Sequence, residues 1–290
     1  MQSILVLIAA PGSGAIDHDL VARLSREIGS EARWLATREA VEFLVSESLD
    51  EAKIRTMLER RPVDIAVVGT QGRRKRLLIA DMDSTMIGQE CIDELGILAG
   101  VGDRISDITA RAMRGELDFE AALKERVGLM RGLPRHALAT VLSDRITFTA
   151  GGRSLIQTMR SHGAYTALVS GGFVEFTGFV TERLGFHEHR ANEFLWHEEM
   201  LTGEVREPIL GRDAKVSALR ELCAQLGVTP ADAIAVGDGA NDIPMLEAAG
   251  MGVALHAKPK VREAAPIRID HGDLTALLYL QGYRREDFVE

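Results

Sequence analysis

Cysteine is nearly absent. The 290 residues contain two, Cys91 and Cys223, far apart and both in stretches with helical periodicity. A disulfide framework is thereby excluded, and a reducing cytoplasm is the expected compartment. Long apolar runs are missing as well: none approaches the roughly 18 residues of a membrane span, so no membrane partner is expected. The short apolar run from Ile4 to Ala10 has no Lys or Arg before it and passes directly into Pro11-Gly12-Ser13-Gly14. It predicts a strand and a turn, not a signal peptide. That turn also lacks the Gly-Lys-Ser/Thr ending of a P-loop. Positive charge is in deficit, with Lys+Arg 34 against Asp+Glu 43 and a net charge of −9. Such a surface repels a phosphate backbone, so no nucleic-acid partner is expected. There are no internal repeats and no low-complexity tracts. What is present is an ordinary globular composition, 46% hydrophobic and 27% charged, at a length that suggests two domains.

Residues 1–70 read as strand, helix, two strands, helix, strand. Ile4–Ala9 is apolar and β-branched, Leu20, Leu24 and Ile28 recur at helical spacing, and Trp34–Thr37 and Val41–Val45 alternate like half-buried strands. Met57-Leu58 belong to a second amphipathic helix, and Ile65–Val68 is a short buried strand. The order βαββαβ is that of a ferredoxin-like unit. The tetrad Arg73-Arg74-Lys75-Arg76 then reads as a solvated basic linker over 71–76. Beyond it strands alternate with helices, the mark of a parallel α/β sheet. Leu77–Ala80, Tyr165–Val169 and Ala233–Val236 are buried strands, and Met251–Leu255 and Ile267–Ile269 continue the sheet. Between the first two, about 88–150, the periodicity is helical almost throughout. Ile92, Leu95 and Leu98 share one face, as do Leu123, Val127 and Met130. A helical insertion after the first strand predicts a cap over an active site.

Ligands of open α/β sheets bind beyond the carboxyl ends of the strands, and polar residues collect there. Asp81 and Asp83 follow the first strand; carboxylates at i and i+2 form either a polar turn or a cation site. Ser170-Gly171-Gly172 follow the second strand, where a hydroxyl and N–H groups at a helix start can hold an anion. Gly237-Asp238-Gly239-Ala240-Asn241-Asp242 follow the third. They supply oxygen donors suited to Mg²⁺, with Asn241 as N-cap of the next helix. Lys215 lies near the start of a helix over Asp213–Leu226. His187, His189 and His197 have no cysteine nearby and read as a polar hairpin.

In this order, DxDST, strand-Ser-Gly, helical Lys and GDxxND resemble the four motifs of the haloacid dehalogenase superfamily. From Leu77 to about His271 the chain is similar to its aspartate-nucleophile phosphatases. The resemblance implies an α/β fold with a Rossmann-like parallel-sheet core at 77–290 and a helical cap at about 88–150. A small α+β ferredoxin-like (ACT-like) domain at 1–70 precedes it. The cap narrows the match. Glu90, Met113-Arg114-Gly115-Glu116-Leu117-Asp118-Phe119 and Leu123-Lys124-Glu125-Arg126-Val127 look like those of the phosphoserine phosphatases.

That resemblance implies Asp81 as nucleophile and Asp83 as general acid and base. Glu90 would bind the substrate ammonium, Arg126 its carboxylate, and Met113 and Phe119 would lie against it. Ser170, Gly171, Lys215 and Asn241 would hold the phosphate. Mg²⁺ would sit on Asp81, Asp83 and Asp238, with Asp242 ordering a water on the ion. The implied reaction converts O-phospho-L-serine to L-serine and phosphate through an aspartyl-phosphate, the final step of L-serine biosynthesis. Phosphohomoserine, one methylene longer, stays open as a substrate, since a methylene is worth only about 1–3 kcal/mol. Transfer of the phosphoryl group to an alcohol also stays open. The ACT-like reading implies a homodimer, and a fragment starting near Arg73 is expected to keep the chemistry.

Overall fold

The computed structural model describes residues 2–290 apart from 47, 48, 114 and 115, and without the side chains of Met113 and Arg212. The first region contains β1 (Ser3–Ala9), α1 (His18–Ile28), β2 (Ala32–Ala36), β3 (Ala40–Val45), α2 (Glu51–Met57) and β4 (Val63–Gly69). Its four strands are antiparallel in the order β2-β3-β1-β4, the arrangement the βαββαβ pattern predicts. Local chemistry sets the ends of α1. Asp17 accepts the Leu20 N–H at 2.8 Å, and Gly29 closes the helix at φ 71°, where a side chain would be strained. Alternation then divides the sheet. Leu5, Leu7, Val41, Phe43 and Ile65 pack with Leu20, Leu24 and Ile54 of the helices, while Val6, Ile8, Ala40, Ala66 and Val68 face the remainder of the chain.

The second region begins at β5 (Leu77–Ala80), all four residues of which are fully buried. Four helices follow: α3 (Cys91–Leu98), α4 (Gly102–Met113), α5 (Phe119–Leu129) and α6 (Arg135–Asp144). Then come α7 (Gly152–Ser161), β6 (Tyr165–Phe173), α8 (Val174–Leu184) and β7 (Glu188–Asn192). A hairpin of β8 (Phe194–His197) and β9 (Met200–Val205) leads to α9 (Arg212–Leu226), β10 (Ala233–Gly237) and α10 (Ile243–Ala248). The chain finishes with β11 (Met251–Leu255), α11 (Pro259–Ala264), β12 (Ile267–Ile269) and α12 (Ala276–Leu280). Six strands form a parallel sheet in the order β12-β11-β10-β5-β6-β7. The chain enters at β5, builds one side, and returns at β10 to build the other. The reversal opens a crevice beyond the carboxyl ends of β5 and β10, where such sheets bind ligands. No helix among the described residues is long and apolar enough to cross a membrane.

Several local expectations are corrected. Ser170, Gly171 and Gly172 are not at a helix start: β6 runs on to Phe173, which pairs with Asn192 of β7, and α8 begins only at Val174. The N-cap of α10 is Asp242, not Asn241. His189 belongs to β7 of the main sheet and His187 directly precedes it, so of the three histidines only His197 lies in the hairpin. Leu98, placed on the buried face of α3, is 36% exposed because the helix ends there. The hairpin itself extends the helical cap. Backbone bonds join Gly132 N–H to Leu201 O (2.8 Å) and Leu201 N–H to Leu133 O (2.9 Å).

One residue of the basic stretch departs from the solvated reading, while Arg74 and Arg76 are exposed. Arg73 is buried, donating to Glu42 Oε2 (2.7 Å), Leu280 O (2.6 Å) and Tyr279 O (2.9 Å). These partners lie on β3 and α12, so only the folded pairing of the two regions can satisfy a buried guanidinium here. Asp64 of β4 makes the second tie. Its carboxylate accepts the N–H groups of Asp270 (2.8 Å), His271 (3.0 Å) and Gly272 (2.8 Å), just past β12.

Candidate active site

The crevice is built from strand ends. Asp81 N–H still donates to Val236 O (3.0 Å), continuing the sheet for one residue. The chain then turns sharply: the N–H groups of Thr85, Met86 and Ile87 all point to Met82 O, and Ser84 takes φ 56°. Across the crevice, Gly237 and Gly239 bracket Asp238. A Cβ at Gly237 would run into the Asp242 carboxyl group, and one at Gly239 into the Asn241 amide. Only glycine lets this loop fold so closely on itself.

Asp81, Asp238 and Asp242 are buried, and each presents an oxygen within 4.8 Å of the others. Lys215, 2% exposed at the start of α9, bridges Asp81 Oδ1 (2.8 Å) and Asp242 Oδ1 (2.5 Å). Met82 N–H donates to the same Asp81 Oδ1 (2.8 Å). Among the described residues, Asp81 Oδ2 has no hydrogen-bond donor and is free to act. Asp242 Oδ2 accepts Gly239 N–H (2.9 Å), and Asp238 Oδ1 accepts the Thr85 hydroxyl (3.1 Å).

One buried ammonium does not offset three carboxylates. Burial, then the charge of Asp242, pushes the Asp81 carboxyl well above its usual range despite Lys215. Burial raises Asp238 too, against Lys258. For Lys215, burial lowers the pKa but Asp242 and Asp81 outweigh it, so the ammonium stays charged. Asp83 does not join the carboxylate trio. Its Oδ1 accepts Cys91 N–H (3.3 Å), and burial followed by Glu90 raises it to about 7. A carboxyl poised there can give and take a proton at neutral pH.

The cap closes over this group. Phe119 lies so near Gly171 that a Cβ there would sit 3.0 Å from its ring, and the Gly171 carbonyl accepts the Asn192 amide (2.9 Å). Ser170, 2% exposed, accepts Gly172 N–H on its hydroxyl (2.9 Å). Gly172 approaches both Ser170 Oγ and Asp83 Oδ2. Glu90 Oε1 accepts the Ser84 hydroxyl (3.1 Å). Arg126 on α5 donates to Ala122 O (3.2 Å). Burial lowers its pKa, while the charges of Asp93, Glu90 and Asp83 raise it. Asn241 is half-buried at the mouth of the Gly239 turn. The Met113 side chain lies outside the described residues.

Sequence reasoning missed four participants. Cys91, assigned no role, supplies the backbone donor to Asp83, and Thr85 supplies the donor to Asp238. Asp93 stands by Arg126. Lys258, just beyond β11, approaches Asp238 Oδ2 (3.5 Å) and Glu90 Oε1 (3.8 Å). The rule that led to the other residues, looking past the ends of buried strands, applies equally to Lys258.

A carboxylate trio around a buried lysine, at the switch point of a parallel sheet and under a cap, fits phosphoryl chemistry at an aspartate. Residues 78–247 match the haloacid dehalogenase-like hydrolases, and the chain belongs to that family as an enzyme of its phosphatase branch. It is 42% identical to a phosphoserine phosphatase from Streptomyces coelicolor, with 99% of this chain and 72% of that one covered. Among solved structures it is similar to a HAD family hydrolase from Salmonella enterica serovar Typhi (TM-score 0.85, 31% identity, 96% of this chain and 98% of that one). It is also similar to a probable phosphoserine phosphatase from Vibrio cholerae (TM-score 0.80, 30% identity, 97% and 86%).

Proposed function

We propose that the enzyme hydrolyses O-phospho-L-serine to L-serine and phosphate through an aspartyl-phosphate on Asp81, with Mg²⁺ at the carboxylate trio. The observation that carries this reading is the Oδ2 of Asp81, without a donor among the described residues, beside a carboxyl of pKa about 7, with Glu90 and Arg126 of opposite charge close enough to influence each other. The name shared by the relatives supports the substrate.

Asp81 Oδ2 attacks phosphorus in line, and the bond to the serine oxygen breaks as the new P–O bond forms. Asp83, protonated, gives its proton to the leaving oxygen. It then takes one from the water that attacks phosphorus, as the bond between phosphorus and Asp81 Oδ2 breaks and frees phosphate and the Asp81 carboxylate. Lys215, the Ser170 hydroxyl and the Gly171 N–H hold the equatorial oxygens, where charge accumulates, and Asn241 touches the phosphate. Glu90 takes the ammonium and Arg126 the carboxylate, a planar group that a guanidinium grips by two bonds. Phe119 closes the pocket over the substrate and limits water. Three hard oxygen donors with unbalanced charge fit Mg²⁺. Asp81, Asp238 and the Asp83 backbone would hold it, with Asp242 orienting its water. When bound it would neutralise the repulsion between carboxylate and phosphate.

In this reading 77–290 is the catalytic unit with a cap at about 88–150, joined through 71–76 to an ACT-like unit at 1–70 that pairs two copies. Serine biosynthesis in the cytoplasm is its setting. The test is phosphate release from L-phosphoserine, D-phosphoserine, phosphothreonine and phosphoethanolamine, each with Mg²⁺ and with chelator. Preference for L-phosphoserine, lost with chelator, is expected. Equal rates on phosphoethanolamine would overturn the substrate, and full activity in chelator would overturn the metal.

A further inference from the structure

Lys258 has no part in the reaction described above, yet its side chain enters the site. The backbone that carries it is fixed on two sides. His256 N–H donates to Ile269 O (2.8 Å) directly after β11, and His256 Nε2 lies 2.8 Å from Gly272 O. Lys258 N–H then donates to Asp238 O (3.2 Å), and Pro259 opens α11 behind it. From this anchor the ammonium reaches Asp238 Oδ2 at 3.5 Å and Glu90 Oε1 at 3.8 Å, with 51% of the side chain exposed. It stands between a carboxylate of the trio and the carboxylate assigned to the substrate ammonium.

We propose that Lys258 is a tethered counter-ion: its ammonium neutralises Asp238 and Glu90 in the metal-stripped enzyme and competes there with incoming cations. The inference rests on reading the carboxylate trio as a divalent-cation site. Lys215 is locked between Asp81 and Asp242 on both sides. Lys258, by contrast, is half in solvent at the end of four flexible methylenes and can swing away when a stronger cation arrives. The device holds the acidic pocket together without a metal and weakens metal binding by the cost of displacing the lysine. Linkage makes the competition reciprocal.

The test uses the full chain, stripped by chelator, as wild type, Lys258→Met and Lys258→Arg. Methionine keeps the length and apolar stem and removes only the charge. Calorimetric titration with Mg²⁺ should show Lys258→Met binding about tenfold more tightly, since one nearby like charge is gone. In chelator its melting temperature should fall by about 2–4 °C, and added Mg²⁺ should close that gap. Lys258→Arg should restore wild-type behaviour in both, which loss of packing would not explain. Unchanged or weaker Mg²⁺ binding by Lys258→Met would overturn the competition, and unchanged melting in chelator would overturn the neutralisation. If wild type binds no Mg²⁺, the metal reading fails, and the melting comparison still decides the role of Lys258.

Discussion

Asp64 and Asp81 are each 5% exposed, the first within β4 and the second directly past the end of β5. Their environments are opposite. Asp64 receives three backbone N–H groups aimed at it from 270–272, so its charge is matched by donors that cannot move. Asp81 shares one ammonium with Asp242, keeps one oxygen without a donor among the described residues, and is pushed toward its neutral form. The first carboxylate joins two regions of the molecule. The second is held in an environment that disfavours its charge, and such sites are reactive. Burial of an acid says little about its role; the donors around it say most.

The sharpest break in this comparison is Asp81→Asn. It should reduce phosphoserine turnover by about 10⁴-fold or more while leaving the circular-dichroism spectrum of the chain unchanged. Near-normal phosphate release would remove Asp81 as nucleophile. Asp83→Asn should cost about 10²–10⁴-fold on phosphoserine and less on p-nitrophenyl phosphate, whose leaving group needs little protonation. The same variant carries a pH signature in chelator. With its pKa near 7 when folded and 3.8 as the ordinary value, Asp83 retains between those limits a proton that the unfolded chain has lost. Its contribution is therefore full below about pH 4 and disappears as pH rises to 7. Urea titrations of the metal-free enzyme should show that slope, and Asn should flatten it.

Arg126→Ala should raise KM for phosphoserine by roughly 10–10³-fold and leave phosphoethanolamine, which lacks a carboxylate, almost unaffected. Equal loss on both substrates would make Arg126 a support of the cap. Asp64→Ala should do the reverse of Asp81→Asn: stability falls by roughly 2–5 kcal/mol in urea as three donors lose their acceptor, with kcat of the folded protein unchanged. A loss of kcat without loss of stability would erase the distinction between the two aspartates.

The two regions also bear on the fragment expected to begin near Arg73. Val6, Ile8, Ala66 and Val68 share one apolar cluster with Leu274, Tyr279 and Leu280, and Tyr279 donates to Glu39 Oε1 (2.6 Å). Cutting at the basic stretch would bare that surface and leave Arg73 without Glu42, so the N-terminal sheet is part of what stabilises the second region.

The sequence by itself determined the strands, since alternation and buried apolar runs mark β1, β5 and β10 within a residue or two. It also marked Asp81 and Asp238 as polar residues directly past buried strand ends, where ligands of such sheets bind. Tertiary structure alone decided what depends on segments far apart in the chain. It carried β6 through Ser170 and Gly171 by pairing Phe173 with Asn192, and it turned one arginine of a basic stretch into a buried tie by bringing Glu42 and Leu280 to Arg73. It also brought Lys258 to Glu90, 168 positions earlier in the numbering. Local pattern reports which way a side chain faces; which charge waits for it there is set only when the sheet is assembled.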